Sequence, residues 1–178
     1  MKYQAGDWAC SVGLVMDAGK VLTTRREGVP IVFDKNNRAS IVPMDKIPES
    51  AHTIVSGNQQ IVENGKPTDK LNSETRAPRV SVGVKDEGKT LVLFVIDGRR
   101  AGWSDGMTIA ELGKKMADLG CVAAINLDGG GSTTLVAKRP SSEGDKYKVL
   151  NTPSDGSSLP LPIAIERPVP YVLGFRWR

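Results

Sequence analysis

Disulfide bonding and zinc ligation have little to draw on in this chain of 178 residues. Its two cysteines, Cys10 and Cys121, are too few for a disulfide framework and too far apart for zinc-ligand spacing. No apolar run approaches the roughly 18 residues that a membrane helix needs, so a soluble chain is expected. The stretch from Met1 to Trp8 has no apolar region of the kind a secretory leader carries, and localisation stays undefined. Dense basic tracts are missing too. The net charge is +4, but the Lys and Arg residues are scattered, which points away from nucleic acid. The mild positive field suits a small anionic substrate or plain solubility equally well. There is no internal repeat, and nothing defines an oligomeric state.

What is present is a chain long enough for one domain, residues 1–178, hiding about 70% of its unfolded surface. Apolar runs broken by turn residues predict many short strands. A hairpin is expected over Val12 to Thr24, then strands at Val29 to Phe33, Ala39 to Val42, His52 to Ser56 and Gln60 to Glu63. The polar segment from Glu63 to Ala77 reads as a loop. Arg79 to Lys85 alternates as a strand, and Thr90 to Asp97 is so apolar that it reads as a central one.

Thr108 to Leu119 is the confident helix, with Ile109, Leu112, Met116 and Leu119 along one face. Thr108 and Glu111 have the spacing of a capping box, and Gly120 supplies the stop. The helix leads into a strand over Cys121 to Asp128, so a right-handed strand–helix–strand unit is expected, placing Asp97 and Asp128 at neighbouring strand ends. Thr133 to Lys138 reads as a strand, Pro140 to Lys146 as a loop, Asn151 to Gly156 as a turn, and Leu161 to Glu166 and Tyr171 to Trp177 as closing strands. The fold class expected is mixed α+β, within the α/β group: a central mixed β-sheet with few helices.

The most informative segment is Asn126-Leu-Asp128-Gly129-Gly130-Gly131-Ser132-Thr133, where a strand runs into three glycines flanked by polar groups. Two readings stand. One is a tight turn; the other is an anion cradle in which backbone N–H groups approach a phosphate and Asn126, Asp128, Ser132 and Thr133 orient a polar substrate. Asp97-Gly-Arg99-Arg100 leaves a carboxylate and a guanidinium at a strand end, a place that suits either an active site or exposed turn charges.

In their order along the chain, Arg79-Val-Ser-Val-Gly83, Asp97-Gly-Arg99, Trp103-Ser104-Asp-Gly106-Met-Thr108, Asn126-Leu-Asp128-Gly-Gly-Gly-Ser132-Thr133 and Asn151-Thr-Pro-Ser154-Asp155-Gly156 resemble the phosphodiester glycosidase family. The resemblance runs from about Ser56 to the C-terminus. It implies removal of a sugar, typically N-acetylglucosamine, from a sugar-1-phosphodiester borne on a small molecule or glycan, and members are commonly exported or lumenal. The chain departs from the family at both ends. The preceding region is short, with only Gly6-Asp7-Trp8 matching it faintly. After Asp155-Gly156 comes a Ser/Leu/Pro-rich insertion, and Tyr171 stands where an Asn is expected.

In such a substrate the leaving group is a phosphate monoester, which departs with less need of a proton than an alcohol. Asp97 and Asp128 are the expected catalytic carboxylates, stabilising the anomeric carbon or activating water. Arg79 and Arg99 are expected to hold the phosphate through planar guanidinium forks. Asn126, Gly129, Gly130, Gly131, Ser132, Thr133, Asn151 and Asp155 complete the expected substrate-binding set. Each has a plainer role open to it: Asp128 as a cap on its own loop, Arg79 in a surface pair, Asp155 in an Asx-turn. No cofactor is expected. The oxygens of Asp97, Asp128 and Asp155 are compatible with a divalent cation such as calcium, but no metal-loop spacing is present and none is predicted. Two other functions fit the residues: a catalytically impaired glycan-phosphate-binding module, and a phosphodiesterase attacking at phosphorus.

Overall fold

A computed structural model describes residues 13–69, 74–138, 147–155 and 164–176. Asp7, Cys10, the loop expected at 140–146 and most of the insertion after Asp155 lie outside them. The strands are β1 (Val15–Asp17), β2 (Lys20–Thr23), β3 (Val29–Asp34), β4 (Ala39–Ile41), β5 (Ala51–Gly57), β6 (Gln59–Glu63), β7 (Lys66–Pro67), β8 (Arg79–Lys85), β9 (Thr90–Ile96), β10 (Ala123–Asn126), β11 (Val136–Lys138) and β12 (Tyr147–Val149). Among the described residues the one α-helix is α1 (Ile109–Asp118). The mixed α+β fold with few helices is as the sequence implies.

The strands divide between two five-stranded sheets, ordered β2-β1-β5-β3-β4 and β7-β6-β10-β8-β9, with β11 and β12 forming a separate pair. Alternation along the strands shows why the sheets stack, since successive side chains leave on opposite faces. Ile31 and Phe33 of β3 and Val55 of β5 meet Val82 and Val84 of β8 and Ile125 of β10, which makes a core between the sheets. Val32 and Ile54 turn the other way, to pack with Leu14 on the outer face of the first sheet. The outer face of the second sheet is covered by α1, whose Ile109, Leu112 and Met116 bury against Ile61, Val62, Cys121 and Ala124. The layers are therefore sheet, sheet, helix. At fully buried Leu112 and Met116, each side chain contributes about 1.5–3 kcal/mol by leaving water.

The helix starts where the sequence places it. Thr108 accepts from the Glu111 backbone N–H at 3.1 Å, and Glu111 accepts from the Thr108 N–H at 2.9 Å, a reciprocal capping box. Gly83 of β8 faces this helix, and a Cβ there would press into the Met116 and Cys121 side chains.

Three expectations are corrected. Thr90–Ile96 is an edge strand, not a central one; its apolar side chains cover neighbouring surface while Leu93 stays 47% exposed. The strands joined through α1, β9 and β10, do not pair with each other, because β8 lies between them and is antiparallel to both. The closing segment at 171–176 forms no strand. Tyr171 instead packs on the inter-sheet core, its hydroxyl donating to the Ser56 carbonyl at 3.5 Å. Strand β12 was not foreseen from the sequence: only its pairing with β11 makes it a strand.

Candidate functional site

The antiparallel insertion of β8 decides where the chemistry gathers. Ile96 pairs with Arg79 and Asn126 pairs with Ser81, so β9 and β10 both end where β8 begins. Asp97 and Asp128 thus leave the same rim of the second sheet, with Arg79 between them. Asn58, just before β6, reaches this rim too, donating its N–H to the Asn126 carbonyl at 2.8 Å.

The three glycines sit where the chain passes three different neighbours. A Cβ on Gly129 would lie 2.8 Å from the Pro78 carbonyl oxygen, and one on Gly130 would lie 3.0 Å from the Arg99 guanidinium. One on Gly131 would collide with the paired side chains of Asp155 and Arg167. The segment Gly130–Ser132 forms a single 3₁₀ turn, entered with Gly130 at φ +60°. Several of its N–H groups are bonded internally: Gly130 to the Pro78 carbonyl, Ser132 to that of Gly129, Thr133 to that of Gly130, and Gly129 to the Asp128 carboxylate at 3.0 Å. In this geometry the loop acts as a close-packed junction that brings side chains together.

Those side chains differ in how committed they are. Asp97 accepts the Thr152 N–H at 2.9 Å, Asn151 Nδ2 at 3.1 Å and, from the exposed turn beyond, Trp103 Nε1 at 3.4 Å. Asn151 is equally occupied: Nδ2 also donates to the Thr133 carbonyl at 2.9 Å, and Oδ1 accepts the Leu135 N–H at 2.7 Å. Asp97 and Asn151 together clamp the 151–155 turn onto the rim. Asp155 receives Arg167 in a bidentate fork at 2.9 Å on each oxygen. Asp128 is exposed and, among the described residues, accepts only from its neighbour Gly129. Among the described residues no three acidic, His or Cys side chains converge as metal ligands.

Two guanidiniums complete the rim. Arg79 donates to the backbone carbonyls of Met107 at 3.1 Å and Thr75 at 2.9 Å, and neither it nor Arg99 forms an ion pair among the described residues. Burial, and then the charge of Arg99 beside it, lower the pKa of Arg79. Arg99 is also a non-glycine residue at φ +58°, a conformation that costs about 1–3 kcal/mol and concentrates at functional sites. Asn126 and Thr133 are buried at 3% and 1% exposure, and Asn126 Oδ1 and Thr133 Oγ1 have no hydrogen-bond partner among the described residues. Ser132, half-buried, follows on the 3₁₀ turn.

Sequence reading missed Arg100, whose Nη2 donates to the Pro153 carbonyl at 2.7 Å, and Arg167, the partner of Asp155. Neither contact has a local signal, since 53 and 12 residues separate the partners. Asn58 is likewise placed by tertiary contact, between β5 and β6 and bonded to the Asn126 carbonyl. A cavity of about 190 Å³ opens beside it, lined by Gly13, Glu27, Gly28, Ser56 and Gly57.

Comparison with known proteins places this architecture. The catalytic domain of zebrafish N-acetylglucosamine-1-phosphodiester alpha-N-acetylglucosaminidase, auto-inhibited by its pro-peptide, superposes with a TM-score of 0.66 at 21% identity. The alignment covers 88% of this chain and 55% of that one, so this chain spans little more than half of that relative. A Burkholderia pseudomallei protein aligns at 41% identity over 45% of this chain and 14% of its own, with a TM-score of 0.37. A hypothetical protein from Synechocystis aligns at 17% over 61% and 29%, with a TM-score of 0.36. No curated protein matches. The zebrafish likeness speaks for the fold alone, but the sequence profile of the phosphodiester glycosidases runs along residues 2–176, which is nearly the whole chain. This chain belongs to the phosphodiester glycosidase family.

Proposed function

We propose that this chain hydrolyses a sugar-1-phosphodiester at the anomeric carbon, releasing free sugar and a phosphate monoester, with an N-acetylglucosamine-like sugar as the leading candidate. The observation that carries the reading is the exposed carboxylate of Asp128 on the same rim as two guanidiniums that, among the described residues, form no ion pair. Arg79 and Arg99 bind the phosphate oxygens and stabilise the charge that collects on the departing monoester. Asp128 stabilises the oxocarbenium-like anomeric carbon or takes a proton from the attacking water. Water oxygen bonds to C1, the bond from C1 to the bridging oxygen breaks, and the electron pair leaves with the phosphate. Asp97, engaged by Asn151 and Thr152, holds the rim in register. Asn126, Ser132 and Thr133 supply polar contacts to sugar or phosphate, and the glycines allow the close approach.

Incubation with a panel of sugar-1-phosphodiesters tests the reading, and Asp128→Ala is expected to abolish turnover. Release of no sugar from any of the panel overturns it. In oxygen-18 water the label is expected on the sugar; label on the phosphate assigns attack to phosphorus instead. A second reading, a glycan-phosphate-binding module, is favoured by the commitment of Asp97 and Asp155 to internal partners, and binding without turnover is its signature.

A further inference from the structure

Trp103 is 72% exposed in a chain whose aromatic content is only 5%. It is also held. Its turn is closed by the Arg100 N–H on the Ser104 carbonyl and by the Ser104 and Trp103 N–H groups on the Arg100 carbonyl, all at 3.0 Å. Ser104 Oγ donates to the Asp97 carbonyl at 2.6 Å, pinning the turn to the end of β9, and the indole N–H points to the Asp97 carboxylate. The ring therefore stands at the rim that carries Arg99, Asp97 and Asn151. Among the described residues the paired rings are Phe33 and Phe175, so the indole packs against no other aromatic.

A large apolar ring fixed in solvent at a rim that carries two guanidiniums is suited to a ligand with an anionic end and an apolar face. A sugar-1-phosphate is such a ligand, because the axial C–H groups of a pyranose make one face of the ring apolar. We propose that Trp103 is the platform on which the sugar ring stacks while Arg79 and Arg99 hold the phosphate. The proposal rests on the sugar-phosphate reading of this site and adds a sugar-binding residue to it.

The test is calorimetric titration of inorganic phosphate, phenyl phosphate, glucose-1-phosphate and N-acetylglucosamine-1-phosphate into wild type, Trp103→Ala and Trp103→Phe. Exposure of the side chain leaves the fold intact, which circular dichroism checks. Trp103→Ala is expected to weaken at least one sugar phosphate about tenfold with inorganic phosphate unchanged, and Trp103→Phe to recover most of that loss. Equal sugar-phosphate affinity in wild type and Trp103→Ala overturns the platform, as does loss confined to phenyl phosphate, or sugar phosphates binding wild type no better than phosphate. Turnover measured separately keeps the two ideas apart. Trp103-dependent binding without hydrolysis leaves the platform standing and removes the glycosidase, whereas hydrolysis with Trp103-independent affinity does the reverse.

Discussion

Asp128 and Asp97 end strands on one rim, yet their surroundings give them different capacities. Asp97 accepts from Thr152 and Asn151, whereas among the described residues Asp128 accepts from Gly129 alone. Asp97→Ala is therefore expected to loosen the 151–155 turn and lower the melting temperature, while Asp128→Ala leaves the melting temperature within about 1–2 °C of wild type, as an exposed change does. Thermal denaturation of both variants checks this. Arg99→Ala removes charge-assisted bonds worth about 1.5–3 kcal/mol, an expected loss of about 10- to 150-fold in affinity for a phosphate ligand. Arg99→Lys keeps the charge but not the fork, so titration should find it between the two. At Gly131 the issue is space. Gly131→Ala presses a methyl into the Asp155–Arg167 pair, and an overpacking cost of about 1–3 kcal/mol is expected in denaturant unfolding.

Helix α1 shows how far an element is written in its own residues. Its apolar face, capping box and stop are all within a dozen positions of each other, and all stand as the sequence implies. Thr108→Ala is expected to cost about 1 kcal/mol, or roughly 2–4 °C in melting temperature. The Thr108 backbone N–H holds the Glu111 carboxyl below its ordinary value of 4.5, helped by Arg76. A depressed carboxylate contributes stability above its unfolded pKa and loses it as pH falls through the folded one. The difference in melting temperature between wild type and Glu111→Ala should therefore shrink as pH is lowered below about 4.5. Cys121 lies between the helix and β10, and burial pushes its thiol up. In a Cys10→Ser background, native protein at pH 8 should resist alkylation at Cys121 and unfolded protein should not, as mass spectrometry would report. Strand β9 is the counter-example: its apolar run looks the same for a central or an edge position, and only its neighbours decide.

At the scale of the whole molecule, the sheets are held by a core to which both contribute, and the site lies at one rim of the second sheet. Most strands, the helix and the ordered motifs of the family were legible in the sequence, because periodicity, turn residues and caps act over a few positions. The glycines drew attention for their conformational freedom, which Gly130 uses at φ +60°. Close packing is their further role, since each glycine admits a neighbour more than 20 residues away in sequence: Pro78, Arg99, and Asp155 with Arg167. Local pattern alone determined the fold class, the helix and the candidate residues of this protein. The tertiary structure decided that β8 separates β9 from β10, that Asp97 is clamped while Asp128 is exposed, and that Arg79 and Arg99 share that rim with no ion pair to either among the described residues. The physical reason is that pairing order and charge compensation depend on contacts between distant segments, which no local spacing encodes.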